Sequence, residues 1–363
     1  MVILSLSGDP GGARAISPVL RGLTQENNIV MVYAYRQALA IFEADGLSPV
    51  EISEGVQDRE LKETLIHCKP DLCLLGTSVN GVDLEKKMIL LCRELGITTL
   101  SVLDYWSNYI NRFTHVGRPA LDALPDMVAV MDLMAKDEMI ALGIPADRIC
   151  VTGQPAFDEL FSDFDNAEAR KKVRKHHQVL DEVPLIVFAS QPLTEMKKLG
   201  ASDLGFDELG VIQILNEAME EWRRLHHVSA KLWIRPHPRE NDLKFSNWVG
   251  DDTFVSSDFT RNEVVAAADL IVGMNSIFLI EACLLGGTVL SLQPGGKRSD
   301  DFPFQRLGLG TVCYDDQVLK VLTPLMRSKK LVEVVPEKLK ASYGGGADNV
   351  LKWIKKLVKT TAR

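Results

Sequence analysis

Short runs rich in Val, Ile and Leu alternate with amphipathic segments of helical length along nearly the whole chain. This alternation constrains the fold more than any other feature of the sequence. The runs are mostly apolar on successive residues, which is typical of a parallel sheet covered by helices on both faces, so the sequence predicts an α/β fold. The predicted strands are Val2 to Leu6, Ile29 to Tyr33, Leu72 to Leu75, Thr98 to Leu103, Met127 to Val130, Arg148 to Val151, Leu185 to Ala189, Ala230 to Arg235, Thr253 to Val255, Leu270 to Val272, Thr288 to Leu292 and Gly310 to Cys313.

The alternation is interrupted once near the middle of the chain, which predicts two domains. Residues 161–166 are polar and show neither helical nor strand periodicity, so we interpret them as the linker. A length of 363 residues also favours two domains over one. We predict a first domain over 1–165, a second over 166–345 and a closing helix over 346–363. Two such domains would face a cleft, with ligand groups at the carboxyl ends of the strands.

The composition disfavours several classes of function. The 41 Lys and Arg residues against 49 Asp and Glu residues give a net charge of −8, so the chain has no basic field for nucleic acid. The first apolar run has about five residues, too short for a signal peptide or a membrane span, which predicts a cytoplasmic protein. The six cysteines occur singly and without zinc-type spacing, which favours reduced thiols and no metal site.

The closing segment predicts a basic amphipathic helix from Asp348 to Lys359. Trp353 and Ile354 lie on its apolar side, and lysines occupy the other side. We expect the apolar side to pack on the protein. The alternative is peripheral contact with an anionic membrane surface, which a basic amphipathic helix can make.

A glycine-rich turn, Ser7-Gly8-Asp9-Pro10-Gly11-Gly12, follows the first predicted strand and opens a helix. Backbone amides at Gly11 and Gly12 can face a phosphate or a sugar hydroxyl, because glycine has no side chain to block the approach. The spacing does not match Gly-x-Gly-x-x-Gly, so a dinucleotide site is not predicted. A plain tight turn remains the alternative.

A second motif, Arg235-Pro236-His237-Pro238, follows a buried strand in the second half. The two prolines fix φ and leave the turn little freedom, which suits a preorganised site. Arg235 and His237 can therefore contact a diphosphate. The alternative is a capping turn whose charges meet solvent.

A third motif, Gly273-Met274-Asn275-Ser276, lies between a predicted strand and an apolar helix. Asn275 and Ser276 can cap that helix while its free amides and the positive end of its dipole face an anion. Glu281 follows in an otherwise apolar segment, so its carboxylate should be paired, exposed to a cleft or bound to ligand hydroxyls. The alternative is a Glu on the surface of an amphipathic helix.

Four segments carry a resemblance to a known superfamily. Residues 149–160, including Val-Thr-Gly-Gln-Pro, resemble the segment that closes the first domain of GT-B glycosyltransferases and of the related UDP-N-acetylglucosamine 2-epimerases. Residues 188–192 resemble the first strand end of their second domain, and residues 235–238 resemble their His-Pro element. Residues 273–286 are similar to their diphosphate-binding loop and helix.

The resemblance implies two Rossmann-like, doubly wound domains facing a cleft, with the last helix crossing back to the first domain. It also implies that a nucleoside diphosphate sugar, most plausibly a UDP-sugar, binds in the second domain, and that Glu281 takes the ribose. No cofactor or metal is implied. The residues expected to bind substrate are Gly11, Gly12, Ser190, Gln191, Arg235, His237, Asn275, Ser276 and Glu281.

The first domain departs from the epimerase pattern. The epimerases have carboxylates after the fourth and fifth strands of this domain, whereas this chain has Gly76-Thr77-Ser78 at the first place and Asp104 at the second. We therefore favour a metal-independent glycosyltransferase that serves a surface polysaccharide or glycolipid, with a glycan or lipid-linked acceptor. Asp104 is the first choice for the base, with Asp9 and His115 as alternatives.

Three other functions remain open: a 2-epimerase, a transferase that uses a CDP-glycerol-type donor, and a nucleotide-sugar binder without catalysis. The run from Asp104 to Phe113 is aromatic and polar, which suits sugar stacking; packing of its aromatic side chains is the alternative.

Overall fold

The computed structural model describes residues 1–79, 81–198, 203–296, 302–314, 318–327 and 342–361. The chain divides into two compact units. Unit 1 comprises Met1–Glu159 and Lys338–Arg363, and unit 2 comprises Leu160–Glu337. Each unit has its own parallel sheet.

The sheet of unit 1 has seven strands in the order β3-β2-β1-β4-β5-β6-β7, and all described pairs are parallel. Helices connect the strands, so both faces of the sheet are covered and the central strands β1 and β4 are almost wholly buried. The strands are β1 (Val2–Ser7), β2 (Ile29–Ala34), β3 (Val50–Glu51), β4 (Leu72–Leu75), β5 (Thr98–Val102), β6 (Met127–Val130) and β7 (Ile149–Val151). The helices among them are α1 (Pro10–Gln25), α2 (Ala38–Ala44), α3 (Asp58–Cys68), α4 (Leu84–Leu95) and α5 (Leu133–Ala141).

The sheet of unit 2 has six parallel strands in the order β10-β9-β8-β11-β12-β13. The strands are β8 (Leu185–Ala189), β9 (Lys231–Arg235), β10 (Thr253–Val255), β11 (Leu270–Gly273), β12 (Val289–Leu292) and β13 (Thr311–Cys313). The helices are α6 (Asn166–His176), α7 (Leu193–Lys198), α8 (Glu208–His226), α9 (Arg261–Ala267), α10 (Ile277–Leu284) and α11 (Val318–Arg327).

Both strand orders are doubly wound, and the winding direction reverses beside the first strand of each unit. The reversal lies between β1 and β4 in unit 1 and between β8 and β11 in unit 2. Connections on the two sides of such a point diverge and leave a crevice at the carboxyl ends of the strands, where ligands of open α/β sheets bind. The fold class predicted from the sequence, α/β with two doubly wound domains, is confirmed.

All twelve predicted strands are present, and their ends differ from the prediction by one residue at most. The sequence analysis missed β3. This strand has two residues, Val50 and Glu51, both exposed at the edge of the sheet, so no apolar run announces it.

The closing helix α12 (Gly346–Thr361) begins at the first residue of the predicted closing segment, two residues before the amphipathic stretch that starts at Asp348. The backbone amides of Gly346 and Ala347 donate hydrogen bonds of 2.8 Å each to the two carboxylate oxygens of Asp158. Asp158 lies far away in sequence and satisfies two of the free amides that every helix start has. A tertiary contact therefore sets the start of α12.

The apolar side of α12 packs in unit 1. Val350 and Ile354 are fully buried in a core that includes α1, and a Cβ at Gly22 of α1 would lie only 2.8 Å from a methyl carbon of Leu351. The lysines lie on the other side, where Lys355 forms an ion pair with Glu26. Within the described part of the chain, no helix combines the length and the hydropathy that crossing a bilayer requires.

We expect Ile354→Ala to lower the stability of unit 1 by about 2 to 4 kcal/mol, because it leaves a cavity at a fully buried site. Urea denaturation followed by tryptophan fluorescence measures the loss. Lys359→Ala, on the exposed side of the same helix, is the matched control and should change the stability by less than about 0.5 kcal/mol. Equal effects of the two substitutions would show that α12 does not stabilise unit 1.

Candidate functional site

The turn between β1 and α1 is packed tightly against the neighbouring strand ends. A Cβ at Gly11 would overlap the carboxylate of Asp104, and a Cβ at Gly12 would lie 2.9 Å from Ser7 Oγ and 3.0 Å from the backbone of Thr77. These two glycines are therefore required by close packing, whatever ligand their amides meet. Asp9 is the N-cap residue of α1 and is 7% exposed.

Asp104 lies just after β5, next to this turn. Its Oδ1 accepts hydrogen bonds from Thr77 Oγ1 (2.8 Å) and from the guanidinium of Arg112, which also donates to Thr77 Oγ1 (2.8 Å). The side chain of Arg112 is only 5% exposed, so the Asp104 carboxylate compensates a buried positive charge. The structure thus brings together the strand ends at Thr77 and Asp104, and adds Arg112.

A second carboxyl group lies beside the same turn. Glu85, in the first turn of α4, is 3% exposed and accepts hydrogen bonds from the Gly8 amide (3.0 Å) and the Tyr35 hydroxyl (2.7 Å). Burial raises the pKa of Glu85 to about 7, although these two hydrogen bonds oppose the shift. A carboxyl group with this pKa can hold or release a proton near neutral pH.

His115 occupies a different environment. Its ring Nδ1 lies 2.9 Å from one carboxylate oxygen of Asp122, and its backbone amide donates to the other. Burial works against the ionised carboxylate, but the hydrogen bonds from His115 lower the pKa of Asp122. The imidazole is thereby held by Asp122, whereas Asp104 contacts Thr77 and Arg112.

Trp106, the largest aromatic side chain in the run from Asp104 to Phe113, is buried in the interior of unit 1. Trp106 is fully buried between Phe157 and Tyr343 of the same unit, and its indole nitrogen donates to Asp132 (2.7 Å). A buried ring offers no face to a sugar, so packing explains Trp106. Its neighbour Tyr105 is partly exposed.

In unit 2, the turn after β9 is held by a buried carboxylate that the sequence analysis did not single out. Glu240 accepts hydrogen bonds from Ser190 Oγ (3.1 Å) and from the His237 amide (2.9 Å). The Arg239 amide donates to His237 Nδ1 (3.1 Å), so the ring proton of the neutral imidazole lies on Nε2. The donor of the neutral His237 ring is therefore Nε2.

Glu240 also belongs to the one group of carboxylates among the described residues whose spacing suits a metal ion, together with Glu195 and Glu208. The ammonium of Lys244 contacts all three. Burial disfavours the charged amine, but the hydrogen bonds to Glu208, Glu240 and Glu195 raise the pKa of Lys244. The cluster thus contains its own cation, and it anchors the turn that carries His237.

The loop before α10 is fixed to β8 and β12. The Asn275 amide donates to Gln191 Oε1 (3.0 Å), and the Met274 carbonyl accepts from Ser291 and Gln293. Ser276 is the N-cap residue of α10 and makes no side-chain cap hydrogen bond. Asn275 Oδ1 is buried and has no hydrogen-bond partner among the described residues. The side chains of Asn275 and Ser276 are therefore not used in capping the helix, and they lie at a helix start that favours anions.

Glu281 lies on α10 and is 8% exposed. Its Oε1 accepts a 2.6 Å ion-pair hydrogen bond from Arg261 Nη1. Arg235 lies close enough for its pKa to respond to both: burial lowers the pKa of Arg235, the Glu281 carboxylate opposes that shift and the Arg261 guanidinium adds to it. The guanidinium of Arg235 also lies over the ring of Phe278, 5.2 Å from its centroid.

Sequence reasoning missed Glu85, Arg112, Glu240 and Arg261. For two of them, Glu85 and Arg261, the sequence contained a signal that could have identified them. Glu85 shares a helix face with Ile89 and Cys92, which are both buried, so its carboxyl group interrupts an apolar stripe. Arg261 places a cation at the start of a helix, where the dipole disfavours it. A charge in an unfavourable place often indicates function.

The comparisons with known proteins show the fold. No protein-family model and no curated protein matches the sequence. The structure of the UDP-GlcNAc 2-epimerase from Neisseria meningitidis bound to UDP-GlcNAc is similar with a TM-score of 0.67 and 15% identity, covering 99% of this chain and 100% of that chain. The S. aureus MnaA-UDP co-structure is similar with a TM-score of 0.69 and 14% identity, covering 99% of this chain and 98% of that chain.

A glycosyltransferase-type neighbour is MurG of Acinetobacter baumannii, with a TM-score of 0.61 and 15% identity, covering 98% of this chain and 99% of that chain. At these identities the similarity extends to the fold alone. The chain has the GT-B fold shared by the 2-epimerases and the glycosyltransferases, which confirms the resemblance seen in its sequence.

Proposed function

We propose that the protein is a metal-independent glycosyltransferase, in which unit 2 binds a nucleoside diphosphate sugar, most plausibly a UDP-sugar. The acceptor would be the glycan or lipid-linked precursor of a surface polysaccharide or glycolipid. One observation carries the proposal: β9, α9 and α10 bring Arg235, Arg261 and Glu281 together. They lie beside a helix start at which the amide oxygen of Asn275 has no hydrogen-bond partner within the described ranges.

The charges of this cluster suit a nucleotide. Two guanidinium groups and one carboxylate leave a net charge of +1, although the chain as a whole carries −8. Arg235, the Nε2 donor of His237 and the amides at Asn275 and Ser276 would stabilise the negative charge that develops on the departing diphosphate. Preorganised donors of this kind do the work that a magnesium ion does in other transferases. Glu281 would accept hydrogen bonds from the ribose.

Unit 1 would supply the base that removes the acceptor proton. Asp104 is our first choice because it follows β5 at the carboxyl edge of the sheet and has a second oxygen besides the one that Thr77 and Arg112 contact. Asp9 and His115 remain alternatives. The contact with Asp122 would make His115 a base held in one orientation.

A second candidate function, 2-epimerisation, gains support from Glu85. Elimination and re-addition of the nucleotide need groups that remove and return protons, and a single carboxylate would struggle with both tasks. The structure places the buried Glu85 and Asp9 beside the turn that Asp104 contacts, so unit 1 has more than one acid there. The scarcity of acids in the sequence motifs therefore no longer argues strongly against an epimerase.

We expect Glu281→Gln to weaken UDP binding by about 2 to 3 kcal/mol, or roughly 30- to 150-fold, because the amide accepts weaker hydrogen bonds from ribose than the carboxylate does. Calorimetry on the purified protein measures Kd, after a screen of UDP, CDP, GDP and dTDP has identified the best nucleotide. Glu217→Gln makes the same charge change at an exposed position of α8 and should leave Kd unchanged. An unaltered Kd in folded Glu281→Gln would remove Glu281 from the site.

We expect Asp104→Asn to lower turnover by roughly 100-fold or more while donor affinity stays nearly constant, because asparagine cannot accept the proton. Mass spectrometry of the products follows the reaction of the best donor with a glycan or lipid acceptor extract. Asp147→Asn, at an exposed position of unit 1, is the control. If wild-type protein releases an epimer or free 2-epimeric sugar without acceptor, the protein is an epimerase and the transferase proposal is wrong.

Glu85 should make folding stability depend on pH. Because its folded pKa of about 7 exceeds its ordinary value of 4.5, its contribution is fully present below about pH 4.5 and is lost as the pH rises through 7. The folded state binds the extra proton in this window, so stability falls by at most about 1.4 kcal/mol per pH unit.

We therefore expect Glu85→Gln, which cannot ionise, to gain stability relative to wild type as the pH rises from about 5 to about 7. Urea denaturation at several pH values measures the difference in free energy of unfolding. Glu94→Gln, exposed on the same helix, should show no such trend. A difference between wild type and Glu85→Gln that does not change with pH would place the pKa of Glu85 near its ordinary value.

A further inference from the structure

Arg261 is electrostatically unfavourable at its position at the start of a helix, which suggests a role beyond helix formation. It is the first residue of α9, after a capping box in which Thr260 and Glu263 satisfy each other's backbone amides. A cation at a helix N-terminus is repelled by the helix dipole, typically by a few tenths of a kcal/mol or more. The capping box already completes the helix start, so helix formation does not require the arginine.

The partner of Arg261 is Glu281, a nearly buried carboxylate of the candidate nucleotide site. The side chain of Glu281 is 11% exposed, and that of Arg261 is 31% exposed. Arg261 Nη1 engages Oε1, and no other described side chain hydrogen-bonds the Glu281 carboxylate. The second oxygen, Oε2, thus remains available as an acceptor.

Arg261 also changes what Glu281 does to an anion. An unpaired carboxylate beside Arg235 would repel a diphosphate and would cancel the charge of Arg235. With Arg261 present, the three groups sum to +1, so the site can contain a hydrogen-bond acceptor for hydroxyls and still favour an anion. The ion pair makes these two requirements compatible.

We infer that Arg261 is a positioning residue that holds the Glu281 carboxylate in the orientation in which it accepts hydrogen bonds from the ribose hydroxyls of the nucleotide. This inference rests on the proposed function, since it assumes a nucleotide in unit 2. It assigns Arg261 to ribose selection through Glu281, and not to direct contact with phosphate.

The test compares two ligands that differ only in the ribose hydroxyls, UDP and 2′,3′-dideoxy-UDP, by calorimetry. We expect Arg261→Gln to weaken UDP binding about tenfold more than dideoxy-UDP binding, because the lost positive charge weakens both diphosphates whereas only UDP uses the oriented carboxylate. In a Glu281→Gln background, Arg261→Gln should weaken UDP only by the smaller factor seen with dideoxy-UDP, since the group it positions is gone.

The matched control is Lys172→Gln. Lys172 forms an ion pair with Glu263 of the same helix, so this variant also removes one cation that contacts α9, but one that does not touch Glu281. Its affinity for both ligands should equal that of the wild type. The melting temperature of each variant verifies folding.

The outcomes separate this inference from the proposed function. Equal losses for UDP and dideoxy-UDP, or additive losses of Arg261→Gln and Glu281→Gln, would show that Arg261 acts on phosphate or on the fold, and would overturn the inference while nucleotide binding stands. Failure of the wild-type protein to bind any of the four nucleoside diphosphates would overturn the proposed function, and the inference with it.

Discussion

The parallel arrangement of the two sheets is the constraint on which the candidate site depends. All strands of a parallel sheet end at the same edge, so groups far apart in sequence are brought together wherever their strands are neighbours. In unit 1, the ends of β1 and β4 bring the glycine-rich turn that contains Gly11 close to Thr77. In unit 2, the ends of β8 and β11 bring Gln191 to Asn275. Because the central strands are mostly apolar, the charged residues collect beyond their ends. The candidate site residues lie there for that reason.

Burial then determines which charges these edges can hold. Asp104 is balanced by Arg112, Glu281 by Arg261, and the Glu208 and Glu240 carboxylates share Lys244. Each pair removes a charge that would otherwise be costly to desolvate, and each fixes a side chain at a strand or helix end. Glu85 is the exception, since its donors are the neutral Tyr35 hydroxyl and the Gly8 amide. Burial raises its pKa to about 7, and these two hydrogen bonds only partly oppose the shift.

The sequence predicted those parts of the molecule that depend on local pattern. Apolar runs predicted the strands, and the polar residues at or just after their ends included Asp104, Arg235 and Asn275. The missed parts depend on contacts between segments. Arg112 follows Asp104 by eight residues, but only the fold of the intervening loop turns its guanidinium back to the carboxylate. Similarly, Arg261 and Glu281 belong to different helices, and Asp158 determines the start of α12 from a distant part of the chain. A periodicity argument contains no information about such partners.

The choice between a transferase and an epimerase shows the same limit. The epimerase pattern has carboxylates at two strand ends of the first domain; in this chain Thr77 replaces one of these acids and Asp104 remains. Glu85 reaches the same turn from the first turn of α4, a position that a comparison of strand ends does not include. Both reactions require the departing diphosphate to be stabilised, so the role proposed for the unit 2 cluster suits either one equally well. They differ in whether a second substrate supplies the attacking group. The number of acids in unit 1 therefore cannot distinguish a transferase from an epimerase. The identity of the product formed without an acceptor distinguishes them.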